Sequence, residues 1–276
     1  FYTSVSASRF FGGSIANFIL SLLEQSKLSL PLYIIEIGAD KGFLLRDIAN
    51  FLHSLSYGVV EHTTFATLEP LISLRQSQQN AEIPNFIIYE NFAQIQASID
   101  SHASVFFVSN ELFDSFGVDI FEDKTMLFVQ NFSLQWLSIP KAQKVLQSHN
   151  AFAPQNALLQ NLLKQNALDS RNGAISPFLP AFIRDIAKCA KCAKNAYFLT
   201  FDYDTHSSLN PRSYIRSYIN HQVFSFEDMQ KIGLQSFYQC ADITADVDFD
   251  FVGELFALNG MDRLFYLPQN RALVEK

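Results

Sequence analysis

The chain has 276 residues, 49% hydrophobic and 17% charged, the balance of a globular protein able to bury a large core. Its net charge of −7 comes without any Lys/Arg cluster, so no nucleic-acid partner is expected and a basic protein partner fits the sign better. No apolar run approaches a membrane span and no signal-peptide pattern occurs, so no membrane association is expected and a reduced, cytoplasmic setting is the default.

In residues 10–24, Ile15, Phe18, Ile19, Leu22 and Leu23 recur at helical spacing. The run LYIIEI at 32–37 predicts a strand, GADKG breaks it, and Leu44, Ile48, Phe51, Leu52 and Leu55 predict a helix after it. TTFATLE at 63–69 predicts a second strand and PLISLRQSQQN a helix opened by Pro70. NFIIYE at 85–90 and SVFFVSN at 104–110 predict two more strands, the latter apolar at consecutive positions as buried parallel strands are. TMLFVQNF and LQWLSI predict adjacent strands, residues 155–169 and 179–194 predict helices, and RNGAISPFLP between them predicts a loop on Gly173, Pro177 and Pro180. AYFLTFDYD at 196–204 returns to a strand with a polar end, and ADITADVDFDFV at 241–252 alternates for part of its length. Strands alternating with helices predict an α/β fold: a doubly wound, mostly parallel sheet. The expectation is a single domain over residues 1–276, with an inserted helical and hairpin cap near 135–195.

In open parallel sheets, ligands bind beyond the carboxyl ends of the strands. Four predicted strand ends here are polar: EIGADKG, LEP, SNELFD and FDYD. Gly38 and Gly42 flank Ala39 and Asp40 between a strand and a helix, where glycine admits close backbone approach to a ligand or simply makes the turn. The pattern is GxxxG, not the GxGxxG of dinucleotide sites, and Asp40 would repel a pyrophosphate, which disfavours a nicotinamide oxidoreductase. Glu69 ends the second strand, either as a solvated acid or as the acceptor of two ribose hydroxyls. Loop and acid together describe a nucleoside site without phosphate recognition, which fits S-adenosylmethionine.

Glu111 and Asp114 follow Ser109 and Asn110, three residues apart. Read as the first turn of a helix, they share a face and either complement its dipole, at about 0.3–1 kcal/mol each, or hold a substrate cation. Six histidines are scattered with no HxxxH or HExxH spacing, so no metal site is expected. Cys189 and Cys192 form a CxxC with no second pair, and are read as incidental helix residues.

IIEIGADKGFLLRDI resembles the first motif of class I methyltransferases, with Glu36 as its acid. More specifically, the chain resembles the MidA-type methyltransferases, a family that includes the mitochondrial complex I assembly factor that methylates an arginine. FYTSVSASRFFG is similar to the family's opening motif. LEPLISLRQSQ matches it at Glu69, Pro70, Leu74, Arg75 and Gln78, and SNELFDSFGV at Asn110, Glu111, Phe113 and Asp114. FDYD resembles its Asp-Tyr-Gly at Asp202 and Tyr203, RSYINHQ its Arg216, Tyr218 and His221, and DITADVDF its Asp242, Ile243 and Thr244. The chain departs from the family at Ser6, Asp40, Gly117, Ala174, Asp204 and Asp246.

The resemblance implies an S-adenosylmethionine-dependent methyltransferase acting on a protein, at arginine. It implies cofactor contacts at Glu36, Gly38, Ala39, Asp40, Gly42, Glu69, Pro70, Ser109 and Asn110. Glu111 and Asp114 would be catalytic, with Asp202 and Tyr203 at the substrate, while His221 would line the acceptor cleft or hydrogen-bond a loop. The departures leave an alternative open: a protein that keeps the fold as a binding or assembly factor with little or no turnover.

Overall fold

The computed structural model describes residue 5 and residues 8–165, 172–204, 215–220 and 222–275. In chain order the strands are β1 Leu32–Ile37, β2 Thr63–Leu68, β3 Phe86–Tyr89, β4 Ser104–Asn110, β5 Asp119–Glu122 and β6 Thr125–Gln130. They continue with β7 Ser133–Ser138, β8 Gly173–Ile175, β9 Asn195–Phe201, β10 Ile215–Ile219, β11 Gln222–Ser225 and β12 Asp242–Ala245. Two compact units result, one from residues 1–112, 184–201 and 259–276, the other from 113–183 and 202–258.

The first unit is α/β, a five-stranded sheet in the order β3-β2-β1-β4-β9 flanked by helices. Every pairing in it is parallel. The chain adds strands on one side of β1 up to β3 and then crosses to β4 on the other, so the order reverses between β1 and β4. Helix Phe10–Glu24 buries the expected Ile15, Ile19 and Leu22 together with Phe11, and helix Phe43–Leu55 buries the expected Leu44, Ile48 and Leu52 together with Leu45, while Leu55 is exposed. These side chains form one core with Leu32, Ile34, Phe65, Phe106 and Val108 of the sheet. Each large aliphatic side chain so buried contributes about 1.5–3 kcal/mol. The two helices approach closely because Gly12 is small: a Cβ there would stand 2.8 Å from that of Asp47.

The second unit holds two antiparallel sheets, β7-β6-β5-β8 and β11-β10-β12. They share a core of Ile120, Ala174, Ile215, Phe226, Met229, Phe237 and Ala245. The expected strands at 125–138 form a hairpin whose two-residue turn, Asn131-Phe132, takes left-handed φ values of 50° and 60°. The structure departs from the sequence pattern in several places. Gly173–Ile175, expected as loop, pairs with β5 as a short edge strand. Helix Tyr57–Glu61 was not expected. Residues 241–252 divide between β12 and the start of helix Phe249–Leu258.

Candidate functional site

The register of the parallel sheet fixes which residues emerge together. Glu36 on β1 stands opposite Thr67 on β2 and Val108 on β4. Two residues further along each strand, Gly38, Glu69 and Asn110 therefore leave the sheet at one level, flanking the point where strand order reverses. Three of the four polar strand ends singled out in the sequence are thus brought together.

After β1 the backbone turns sharply. Gly38 and Gly42 have φ of +72° and +75°, and the Gly42 amide donates to the Ala39 carbonyl at 2.7 Å. A Cβ at Gly38 would also meet a terminal methyl of Leu112 at 2.7 Å, so that side chain would have to shift. Asp40, between them, holds a left-handed φ of +46° although it is not glycine. The turn is secured from below: Gln78 donates its side-chain amide to the Asp40 carbonyl at 2.7 Å and accepts the Thr67 hydroxyl at 2.7 Å. Thr67 and Gln78 are fully buried, so each satisfies a polar group that water cannot reach.

Glu36 is buried beneath this loop, and its Oε2 accepts the Leu45 amide at 3.0 Å in the first turn of helix Phe43–Leu55. Burial pushes its pKa up to about 8; the Leu45 amide opposes the shift, and the charges of Asp40 and Asp47 add to it. Glu69 is buried as well, with Oε1 accepting the Leu71 amide at 2.9 Å. Arg75 clamps the same turn by donating to the carbonyls of Glu69 and Pro70, and it pairs with Glu90 at 3.2 Å. Helix Ile72–Gln78 starts two residues beyond Pro70, because this clamped turn occupies the intervening chain.

At the end of β4, Ser109 is buried and turns its hydroxyl sideways to Thr200 on β9, at 2.8 Å. Asn110 is half-buried as the last residue of the strand. Glu111 then donates its amide to the Phe201 carbonyl at 2.8 Å with a left-handed φ of +49°. This corrects the expectation of a helix opening on Glu111: the helical segment here is the three-residue 3-10 turn Phe113–Ser115, which leaves Glu111 outside it. A left-handed residue cannot begin a right-handed turn.

In the second unit, Asp202 is tied to the main chain. Its Oδ2 accepts the amides of Phe113 and Asp114 at 2.8 and 3.3 Å, and its Oδ1 accepts that of Tyr203 at 2.9 Å. It thereby caps the 3-10 turn that carries the buried Asp114. Burial raises its pKa to about 7, helped by the charge of Asp114 and opposed by the three amides. Tyr203 is exposed, with the Arg216 guanidinium 5.9 Å from its ring centre. Arg216 is also paired with Asp246, whose carboxyl is raised by burial, lowered by Arg216, and raised again by Asp114 and Asp204. His221 lies outside the described residues. So two of the departures from the family pattern, Asp204 and Asp246, fall in one acidic group around Arg216.

Three residues that shape the site were not singled out in the sequence, Thr67, Leu45 and Thr200, and Gln78 entered only as a motif match. The available signal was a hydroxyl inside an apolar strand, since a buried polar side chain must have a partner. Among the described residues no cluster of three His, Cys, Asp or Glu suits a metal ion. Cys189 is buried late in helix Leu179–Ala190, and burial pushes its thiol pKa up to about 11. Among the described residues no helix is long and apolar enough to cross a membrane.

A buried carboxylate level with a glycine turn suits the ribose of a nucleoside. A crystal structure of a COG1565 superfamily member from Burkholderia thailandensis, bound to S-adenosyl-homocysteine, superposes with a TM-score of 0.63 at 16% identity, over 94% of this chain and 63% of that one. Another, of a COG1565 superfamily protein from the same organism, gives 0.62 at 15%, over 94% and 65%. The chain thus spans less than two thirds of either and shares their fold. No curated protein matches it. The family model that matches spans residues 14–267, nearly all of both units, and the chain belongs to that family, described as "Putative S-adenosyl-L-methionine-dependent methyltransferase".

Proposed function

We propose that the chain transfers the methyl group of S-adenosylmethionine to a protein side chain, with arginine as the acceptor. The observation that carries this reading is the level exit of Gly38, Glu69 and Asn110 beside the switch point of the sheet. When bound, the donor supplies an electrophilic methyl on a cationic sulfur that departs as a neutral sulfide, so the chain needs no acid for the leaving group.

The work left to the chain is binding and alignment. The Gly38 turn admits close backbone approach, and Glu69 is assigned the ribose hydroxyls. Glu111 directly follows Asn110, and its carboxylate suits a guanidinium, which it can hold bidentately and relieve of a proton. Asp114, Tyr203 and His221 are assigned to the acceptor by resemblance alone. Asp202, with both oxygens on main-chain amides, is assigned to holding the turn at Phe113–Ser115. The net charge of −7 favours a basic acceptor protein.

The test is incubation with methyl-labelled donor in a lysate of cells lacking the native protein, followed by mass spectrometry. The expected result is labelled arginine in one or a few proteins, with Glu111→Gln cutting transfer at least tenfold while calorimetry finds its donor affinity unchanged. Labelled lysine would overturn the arginine assignment. Donor binding with no transfer to any protein would favour the binding or assembly role.

A further inference from the structure

We propose that Asp40 makes the donor site read charge, favouring cationic S-adenosylmethionine over neutral S-adenosylhomocysteine, the product of transfer. The inference rests on the donor-site reading above and goes beyond it to how that site tells its two ligands apart. The two share ribose, adenine and amino-acid groups and differ only in the methyl and the positive charge it places on sulfur. A fixed negative charge near that sulfur is therefore felt by one ligand and not by the other.

Asp40 is placed to supply such a charge. It stands at the crest of the turn after β1 with a φ of +46°, a conformation glycine takes without strain, yet it carries a carboxylate. Its backbone is held by the Gln78 amide, which Thr67 anchors in turn, so its Cα is fixed relative to β1 and β2. Its side chain is exposed on the loop, above buried Glu36, and its charge reaches the Glu36 carboxyl. Glu36 itself is mostly protonated at neutral pH, so it adds little negative charge there. Lys41 follows in the chain with the opposite charge and tempers the effect.

The experiment is calorimetric titration of S-adenosylmethionine and S-adenosylhomocysteine into the wild type, Asp40→Asn and Asp40→Gly, at about 0.02 M and about 0.5 M salt. Both substitutions tolerate a left-handed φ and keep the carbonyl that Gln78 holds. The expected result is a loss of S-adenosylmethionine affinity of about two- to fivefold in both variants at low salt, with S-adenosylhomocysteine unchanged and the difference shrinking at high salt. Equal weakening of both ligands, or no change in either, would overturn this inference while leaving the donor site standing. A wild-type chain that binds neither ligand would overturn the donor-site reading and this inference with it.

Discussion

Glu36 accepts the main-chain amide of Leu45 at 3.0 Å, tying the end of β1 to the first turn of the helix that follows the glycine loop. The bond satisfies an amide that has no partner within its helix. It also keeps an acid where burial raises its pKa from 4.5 to about 8. Between those two values the folded state holds a proton that the unfolded state has lost, so stability falls as pH rises from about 4.5 to about 8 and levels off above. Each pH step of one between those two values removes about 1.4 kcal/mol at most, so the whole fall is on the order of a few kcal/mol. Glu36→Gln keeps an oxygen for Leu45 and removes the titration. Melting temperature followed from pH 5 to about pH 9 should therefore slope less in the variant, which gains stability at the alkaline end. Parallel wild-type and variant profiles would show that Glu36 does not ionise in this range.

Thr67 and Gln78 carry the second link under the loop. Thr67→Val keeps the shape and removes the hydroxyl, leaving the Gln78 carbonyl oxygen buried without its donor. The expected cost is about 1–3 kcal/mol in urea unfolding. Gln78 is then freer to release the Asp40 carbonyl, so donor affinity should drop as well. A variant as stable as the wild type that binds the donor equally would show that the loop holds its shape without this relay.

These two links also show what could be read in advance. The four strands up to residue 110 and helices Phe10–Glu24 and Phe43–Leu55 were legible because these helices repeat their apolar residues at helical spacing and each strand is a short apolar run, whereas the short helices Tyr57–Glu61 and Phe92–Ser98 carry no such signal. The position of Glu111 was not legible. Its spacing from Asp114 fits a helix, but the Phe201 carbonyl draws the Glu111 amide into line with β9 and leaves the backbone left-handed, a tertiary effect no local pattern encodes. β8 was hidden for a similar reason: Gly173 and Pro177 mark a loop, and only pairing with β5 makes Gly173–Ile175 a strand. The resemblance implied a substrate role for Asp202, but its bonds to the amides of Phe113 and Asp114, nearly ninety residues away, are contacts that sequence spacing could not reveal.

Asp202 holds the Phe113–Ser115 turn with one of its oxygens and the Tyr203 amide with the other. An asparagine in its place has one acceptor oxygen, which can serve Phe113 and Asp114 or Tyr203 but not both sides. Asp202→Asn should cost about 1–2 kcal/mol and speed hydrogen exchange at the Phe113–Ser115 turn, read by mass spectrometry of the peptide that contains it. Because burial raises the Asp202 pKa from 3.8 to about 7, its folded form also holds a proton longer than its unfolded form. Its share of stability is accordingly lost as pH rises through that window, and the variant should lack that share. Unchanged exchange at the turn would mean the cap is dispensable.

Arg216 and Asp246 form an ion pair of unequal burial. Arg216 is about one-third exposed at 32% and Asp246 more buried at 12%, so the pair is partly screened and its net worth is modest. Removing Asp246 leaves Arg216 near Tyr203 with its guanidinium still able to reach water, while removing Arg216 leaves Asp246 facing the charges of Asp114 and Asp204 without the guanidinium that offsets them. The two losses should therefore be unequal. Arg216→Ala is expected to destabilise by about 2 kcal/mol and Asp246→Ala by about 1 kcal/mol or less, with a coupling near 1 kcal/mol in the double-mutant cycle. The Arg216→Ala deficit should shrink as pH falls and the uncompensated Asp246 takes up a proton, because its carboxyl is already raised by burial. Equal losses with no pH dependence would mean that the acidic neighbours of Asp246 are too well solvated to repel it.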